Sequence, residues 1–204
     1  MYTVKSGITA IAFLTALGGV AFGQNAGGSA GEGGPPVLAK DVARARLGGR
    51  LLVSSPAFTS GDELDDKYTQ NGENMSPPLN WSKGPSGTRS YVVLAEDAGV
   101  NRPDPVFHWV LYNVPPATTV LHQDLPEDAT LDNGAMQGLN VRKTTGFLGP
   151  KPPAGQTHPY HFEVFALNTR LDLDPMKTDR NAVLAAMKEH VLAQGDLVVN
   201  YTGK

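Results

Sequence analysis

The run Val106–Val114, VFHWVLYNV, constrains this chain more than any other segment. It is filled with aromatic and β-branched residues and closed by Pro115-Pro116, so it reads as a strand and not as a helix. Plain alternation puts His108 on one face with Val106, Val110 and Tyr112, opposed to Phe107, Trp109 and Leu111. Ser90–Glu96 (SYVVLAE) is apolar without a break, as a strand buried on both faces would be. His161–Leu167 (HFEVFAL) and Leu197–Thr202 (LVVNYT) are further strands. Leu51–Ser54 and Lys67–Thr69 are shorter candidates, the second followed by the turn signal Asn71-Gly72. With 23 glycines and 16 prolines, turns are abundant, and the chain reads as mainly β. One main helix is expected near the C-terminal end, over Thr178–Gln194. Thr178 or Asp179 caps it, Val183, Met187 and Val191 share a face, and Gly195 stops it.

The folded domain is expected over residues 51–204. Ahead of it, Lys5, the apolar run Gly7–Phe22 and the small residues Ala21 and Gly23 form a signal-peptide pattern over residues 1–23. That pattern implies a periplasmic or secreted protein. An uncleaved anchor is the rival reading, although the run is short and glycine-rich against the ~20 apolar residues of a span. Residues 24–50 read as a flexible glycine-rich linker or extension: Gln24–Pro36 is too polar and too rich in glycine to form a core. Within it, Val37–Leu47 forms a short helix that either docks on the domain or belongs to the tether. Cysteine is absent, which excludes disulfides, thiolate metal sites, a cysteine nucleophile and lipoprotein acylation. A net charge of −3 offers no electrostatic footprint for nucleic acid, and no stable membrane insertion is expected after cleavage.

Five histidines carry most of the possible chemistry: His108, His122, His158, His161 and His190. His108 is either a satisfied core residue or a ligand-facing one. His158 and His161 flank Pro159, so their segment is extended, and residues three apart in an extended chain point to opposite faces. They cannot share one zinc ion, and no metal site is expected. None of G-x-S-x-G, H-E-x-x-H or a Walker loop occurs. The residues by themselves offer no catalytic signature and leave open a triad assembled from distant positions.

Four segments, in order, resemble the phosphatidylethanolamine-binding protein (PEBP) family, in its bacterial Raf-kinase-inhibitor-like branch. Gly72–Trp81 (GENMSPPLNW) resembles its G-E-N-x-S-P-P-L-x-W stretch. Glu96-Asp97 followed by His108-Trp109 resembles its D-P-D-A-P signature and H-W strand. Gly149-Pro150-Lys151-Pro152-Pro153, with Gly155, His158 and Tyr160, resembles G-P-x-P-P and G-x-x-H-x-Y, and the late helix and LVVNYT end fit as well. The resemblance implies a PEBP-like β-sandwich, a large antiparallel sheet packed on a smaller one. It also implies a small pocket for an anion or phosphorylated head group, lined by Asp97, His108, Pro150, His158 and Tyr160. Trp81 and Trp109 are either walls of that pocket or core residues. Imidazoles and a tyrosine hydroxyl suit an anion, and an aspartate favours imidazolium. The implied partners are a small anionic or phosphorylated ligand and, as the alternative role, a protease or other hydrolase to be inhibited. It is this resemblance that makes the chain read as a binding protein and not an enzyme, with no cofactor. A catalyst using His108 or His158 as general base ranks last. Two departures stand out. Gly99 occupies the place of the pattern's second aspartate, which is expected to reduce repulsion of an incoming anion. Pro159 follows His158 where many relatives carry arginine.

Overall fold

The apolar runs pair into two sheets in the computed structural model, which describes Met1, Thr3 and residues 34–204. The signal peptide expected over residues 1–23, apart from those two residues, and the expected tether up to Gly33 lie outside the described residues. Among the described residues no helix is long and apolar enough to cross a membrane. The strands are β1 (Gly49–Arg50), β2 (Val53–Ser54), β3 (Leu79–Trp81), β4 (Ser90–Asp97), β5 (Val106–Val114), β6 (Val120–Leu121), β7 (Met136–Gln137), β8 (Thr157–Leu167) and β9 (Val191–Thr202). Two α-helices, α1 (Ala39–Val42) and α2 (Arg180–Met187), accompany them.

The larger sheet runs β1-β9-β8-β4-β5-β7 and the smaller β2-β3-β6. The larger sheet is mixed, not antiparallel as expected, because β1 enters parallel to β9. The continuous apolar run of β4 is explained by its position: it lies between β8 and β5, and all eight of its residues are buried. Tyr91, Val93 and Ala95 join a core cluster that includes Leu79, Trp81 and Leu121 of the smaller sheet. Val92 and Leu94 join a second cluster with Ala39, Ala43, Val183, Leu184 and Met187 from the helical segments.

Two further expectations need correction. The C-terminal helix is half the expected length and ends at Met187. Asp179 caps it, accepting from the Asn181 and Ala182 N–H groups. From Val191 the chain is already strand, paired with β8 from Val191 opposite Leu167 to Thr202 opposite Thr157, with one irregularity at Leu192. Ladder pairing and alternating burial override the helical spacing of Val183, Met187 and Val191. Gly195 is not a helix stop: a Cβ there would meet Val53 Cγ2 at 2.7 Å, so glycine is needed where β2 crosses β9. The Lys67–Thr69 strand is instead a 3-10 turn over Asp66–Tyr68, because the Asp65 carboxylate accepts the Lys67 N–H at 3.0 Å.

Of the two readings of Val37–Leu47, the structure takes the first: this segment is docked on the domain. Ala39 and Ala43 are fully buried. The Ala39 N–H donates to Glu96 Oε2 at 2.9 Å, the Lys40 N–H to Glu163 Oε2 at 3.2 Å and the Ala45 N–H to Gln194 Oε1 at 2.8 Å. Small apolar residues and free backbone donors at the start of α1 serve the two buried glutamates of β4 and β8. Removing residues 34–47 takes one donor from Glu96, which keeps Arg180, and leaves Glu163 with none, at ~1–3 kcal/mol for a buried group left unpaired. A truncated chain beginning at Gly48 should therefore show a urea midpoint lower by about 1–3 kcal/mol in unfolding free energy. An unchanged midpoint would return this segment to the tether.

Candidate functional site

The site is built at the ends of β4, β5 and β8, beginning with an irregularity in β5. Phe107 pairs with Glu96 and Trp109 with Ala95, so His108 is an extra residue in the ladder. This β-bulge corrects the alternation read from the sequence. Phe107 packs with the helix-side cluster, whereas Trp109 belongs to the cluster shared with the smaller sheet. On that same face His108 meets the Tyr160 ring edge-on, at 5.3 Å between centroids. A bulge can re-aim one side chain without displacing its neighbours. Here it releases His108 while Trp109 stays in the core, donating Nε1–H to Gln137 Oε1 at 2.8 Å. Trp81 is likewise core, edge-on to Tyr91. Neither tryptophan lines the cleft.

A cleft of about 330 Å³ opens here. Asp97, His108, His158 and Tyr160 line it, and all four are buried. Pro150, the fifth residue expected, does not line it; Pro152 and Pro153 do. The Pro150 carbonyl instead accepts the Gln70 N–H at 3.1 Å, tying its loop to residue 70. Gln70, Arg142 and Lys151 complete the polar lining. Nothing in the local sequence singled out Gln70 or Arg142, because each lies in an irregular segment brought in by the fold. The Gly72–Trp81 stretch contributes through Asn74, whose side chain accepts the Gly149 N–H at 2.7 Å.

Each polar atom has a definable role. The His108 Nδ1–H donates to the Leu148 carbonyl at 2.7 Å, and the Leu148 N–H returns a bond to the His108 carbonyl at 2.9 Å. Burial pushes the His108 imidazole below its ordinary range, against the opposing pull of the Leu148 carbonyl and the Asp97 charge. A neutral ring with its proton on Nδ1 presents a lone pair at Nε2. That atom is buried and has no partner among the described residues, and the same holds for the Tyr160 hydroxyl. Burial and the Asp97 charge push Tyr160 far above the usual phenol range, so it stays a neutral O–H. His158 Nδ1 sits 2.9 and 3.0 Å from the two Asp97 oxygens and donates to that carboxylate. Asp97 Oδ1 also accepts the Gly99 N–H at 2.7 Å. His161 faces the other way and pairs with Asp196.

The cleft therefore offers an acceptor at His108 Nε2, a hydroxyl at Tyr160, and the cationic groups of Arg142 and Lys151 at its mouth. This differs from the pair of imidazolium donors expected, because burial disfavours a charged His108 ring more than the Leu148 carbonyl and the Asp97 charge favour it.

Known proteins share the fold that carries this cleft. The profile of the phosphatidylethanolamine-binding protein family matches residues 54–202. A UPF0098 protein of Methanothermobacter thermautotrophicus is 39% identical over 152 residues, covering 74% of this chain and 98% of its own length. Its counterpart in Aquifex aeolicus is 35% identical over 157 residues, covering 76% and 90%. Among solved structures, YbcL of Escherichia coli, described as a member of the mammalian PEBP family, superposes with a TM-score of 0.71. The identity is 30%, covering 76% of this chain and 100% of that one. The PEBP homologue CT736 of Chlamydia trachomatis gives 0.68 at 29% identity, covering 76% and 99%.

Proposed function

This chain belongs to the phosphatidylethanolamine-binding protein family, and from that premise we propose that it is an exported binding protein whose cleft takes a small oxyanion or phosphorylated head group. In this reading it holds its ligand without turning it over. The sandwich arrangement of the two sheets implied by the family supplies the rigid frame.

One observation carries the reading. His108 Nε2 and the Tyr160 hydroxyl are buried and unpartnered, and both belong to residues that line one cleft. Unpaired buried polar atoms are costly, and a pair of them in one cleft is a ligand-shaped demand. The cationic rim of Arg142 and Lys151 favours an anion. The volume is small for acyl chains, so the chemistry recognised is that of the head group.

The neutral His108 refines the ligand. A lone pair cannot meet a fully deprotonated oxyanion, so either the ligand brings a proton or the imidazole takes one up on binding. An anion beside Nε2 raises the His108 pKa from its depressed value in the free protein. Between the free and bound values binding takes up a proton, so affinity rises as pH falls through that window. Sulfate, which does not titrate from about pH 5 to 8, isolates the protein's part of this effect. Calorimetry should show sulfate binding tighten on acidification, while a phosphomonoester monoanion, which carries its own proton, should depend less on His108. His108→Ala and Tyr160→Phe should each weaken binding by about 1–2 kcal/mol. Sulfate affinity that is flat with pH and indifferent to both substitutions would remove the basis of this reading.

A further inference from the structure

The opposite face of the same strands carries a second polar cluster. Glu96 of β4 and Glu163 of β8 are fully buried, and Asp196 of β9 and His161 of β8 lie beside Glu163. Arg180 pairs with Glu96, and the Lys40 ammonium pairs with Asp196 and stands 3.2 Å from His161 Nδ1. Glu163 is the member left short. Its Oε2 accepts one neutral donor, the Lys40 N–H, and its Oε1 has no partner among the described residues. A carboxylate buried this deeply with a single neutral hydrogen bond calls for a positive partner.

The geometry around it suits a metal ion. One ligand atom from each of His161, Glu163 and Asp196 can be chosen so that all lie within 4.8 Å of one another. Ligands about 2.0–2.2 Å from a tetrahedral ion stand about 3.3–3.6 Å apart, so the widest pair must close by on the order of 1 Å to share it. The Lys40 ammonium already sits against two of the three groups. Access exists too, because Lys40 and Asp196 line a surface groove of about 470 Å³.

We propose that His161, Glu163 and Asp196 form a binding site for a divalent first-row transition ion, with the Lys40 ammonium as its built-in competitor. One imidazole and two carboxylates match zinc or manganese and leave room for water in the remaining positions. The site lies on the other face of the sheet from the cleft and does not depend on what the cleft binds. It also couples the metal to the docked segment, since Lys40 must withdraw its side chain for the ion to enter.

The test is a calorimetric titration of the chelator-treated full chain with zinc chloride. Wild type should bind one ion at this site. Lys40→Met should bind at least 10-fold more tightly, while Glu163→Gln and Asp196→Asn should each lose at least 10-fold. Lys40→Met removes only a partly exposed ammonium, so it remains decisive even if a carboxylate variant folds poorly. Zinc binding that is unchanged by both carboxylate substitutions would place the ion elsewhere and overturn the proposal. So would the absence of binding in both wild type and Lys40→Met, which would mean that a proton alone completes the cluster.

Discussion

Gly99→Ala is expected to weaken sulfate binding by about 10- to 100-fold, the equivalent of losing one charge-assisted hydrogen bond in a buried site. The cause is steric. A Cβ built on Gly99 would lie 2.6 Å from His158 Cβ and 2.7 Å from His158 Cδ2. His158 Cβ cannot swing away by rotamer change, because it is fixed to a strand held on one side by β4 and on the other by β9. The loop must then withdraw, and the Gly99 N–H loses its bond to Asp97 Oδ1. Asp97 and His158 lose their mutual orientation with it. NMR of the His158 ring should report the displacement directly, and calorimetry the loss of affinity. Combining Gly99→Ala with His158→Ala should cost little more than either alone, because both act on one contact. Gly99→Asp should behave like Gly99→Ala. Wild-type affinity in either variant would show that the loop absorbs a side chain freely.

That expectation shows where sequence reading ended. The missing second aspartate at Gly99 suggested an electrostatic effect, a charge removed from beside an anion. The close approach to His158 makes it a packing constraint, and no local pattern records which side chain a loop glycine will face. The bulge at His108 was hidden for a related reason. VFHWVLYNV has the composition of a strand, but a one-residue insertion leaves no trace in apolar alternation. It is visible only in the pairing of Phe107 with Glu96 and of Trp109 with Ala95. The strands β4, β5 and β8 were legible because they are long and continuous in apolar character. Asp97, His108, His158 and Tyr160 were legible because ordered motifs carried them. Pro150 was misplaced by two to three residues along its loop, since the motif marks the turn and not the side chain that reaches the cleft. Residues 191–194 carry a helical reading in the sequence because a short apolar run satisfies both periods, and only the partner strand decides between them.

The same limit hid the anchor of the docked segment, a buried ion pair that no sequence pattern announces. Arg180→Met is expected to destabilise the domain by about 3–5 kcal/mol, the range for removing one partner of a buried pair. Glu96 is fully buried and Arg180 is 5% exposed, so the carboxylate left behind cannot recover its hydration. Arg180 also donates through Nη2 to the Val37 carbonyl at 2.8 Å, while Glu96 Oε2 accepts the Ala39 N–H at 2.9 Å. One guanidinium thus joins the start of α2, the end of β4 and the docked segment. For a domain of this size, about 2–4 °C is lost per kcal/mol, so the melting temperature should fall by roughly 6–20 °C. The cause of the loss, an unpaired buried charge, can be separated from lost packing by a second substitution. Glu96→Gln in the Arg180→Met background removes the charge but keeps an amide oxygen for the Ala39 N–H, and should recover much of the stability. Glu96→Gln alone should also destabilise, because it leaves the Arg180 charge buried. Urea unfolding of the three variants beside wild type measures all of these terms. A loss below about 1 kcal/mol in Arg180→Met would place the pair with solvent-screened surface bridges, and the docked segment would then be held by the packing of Ala39 and Ala43 instead.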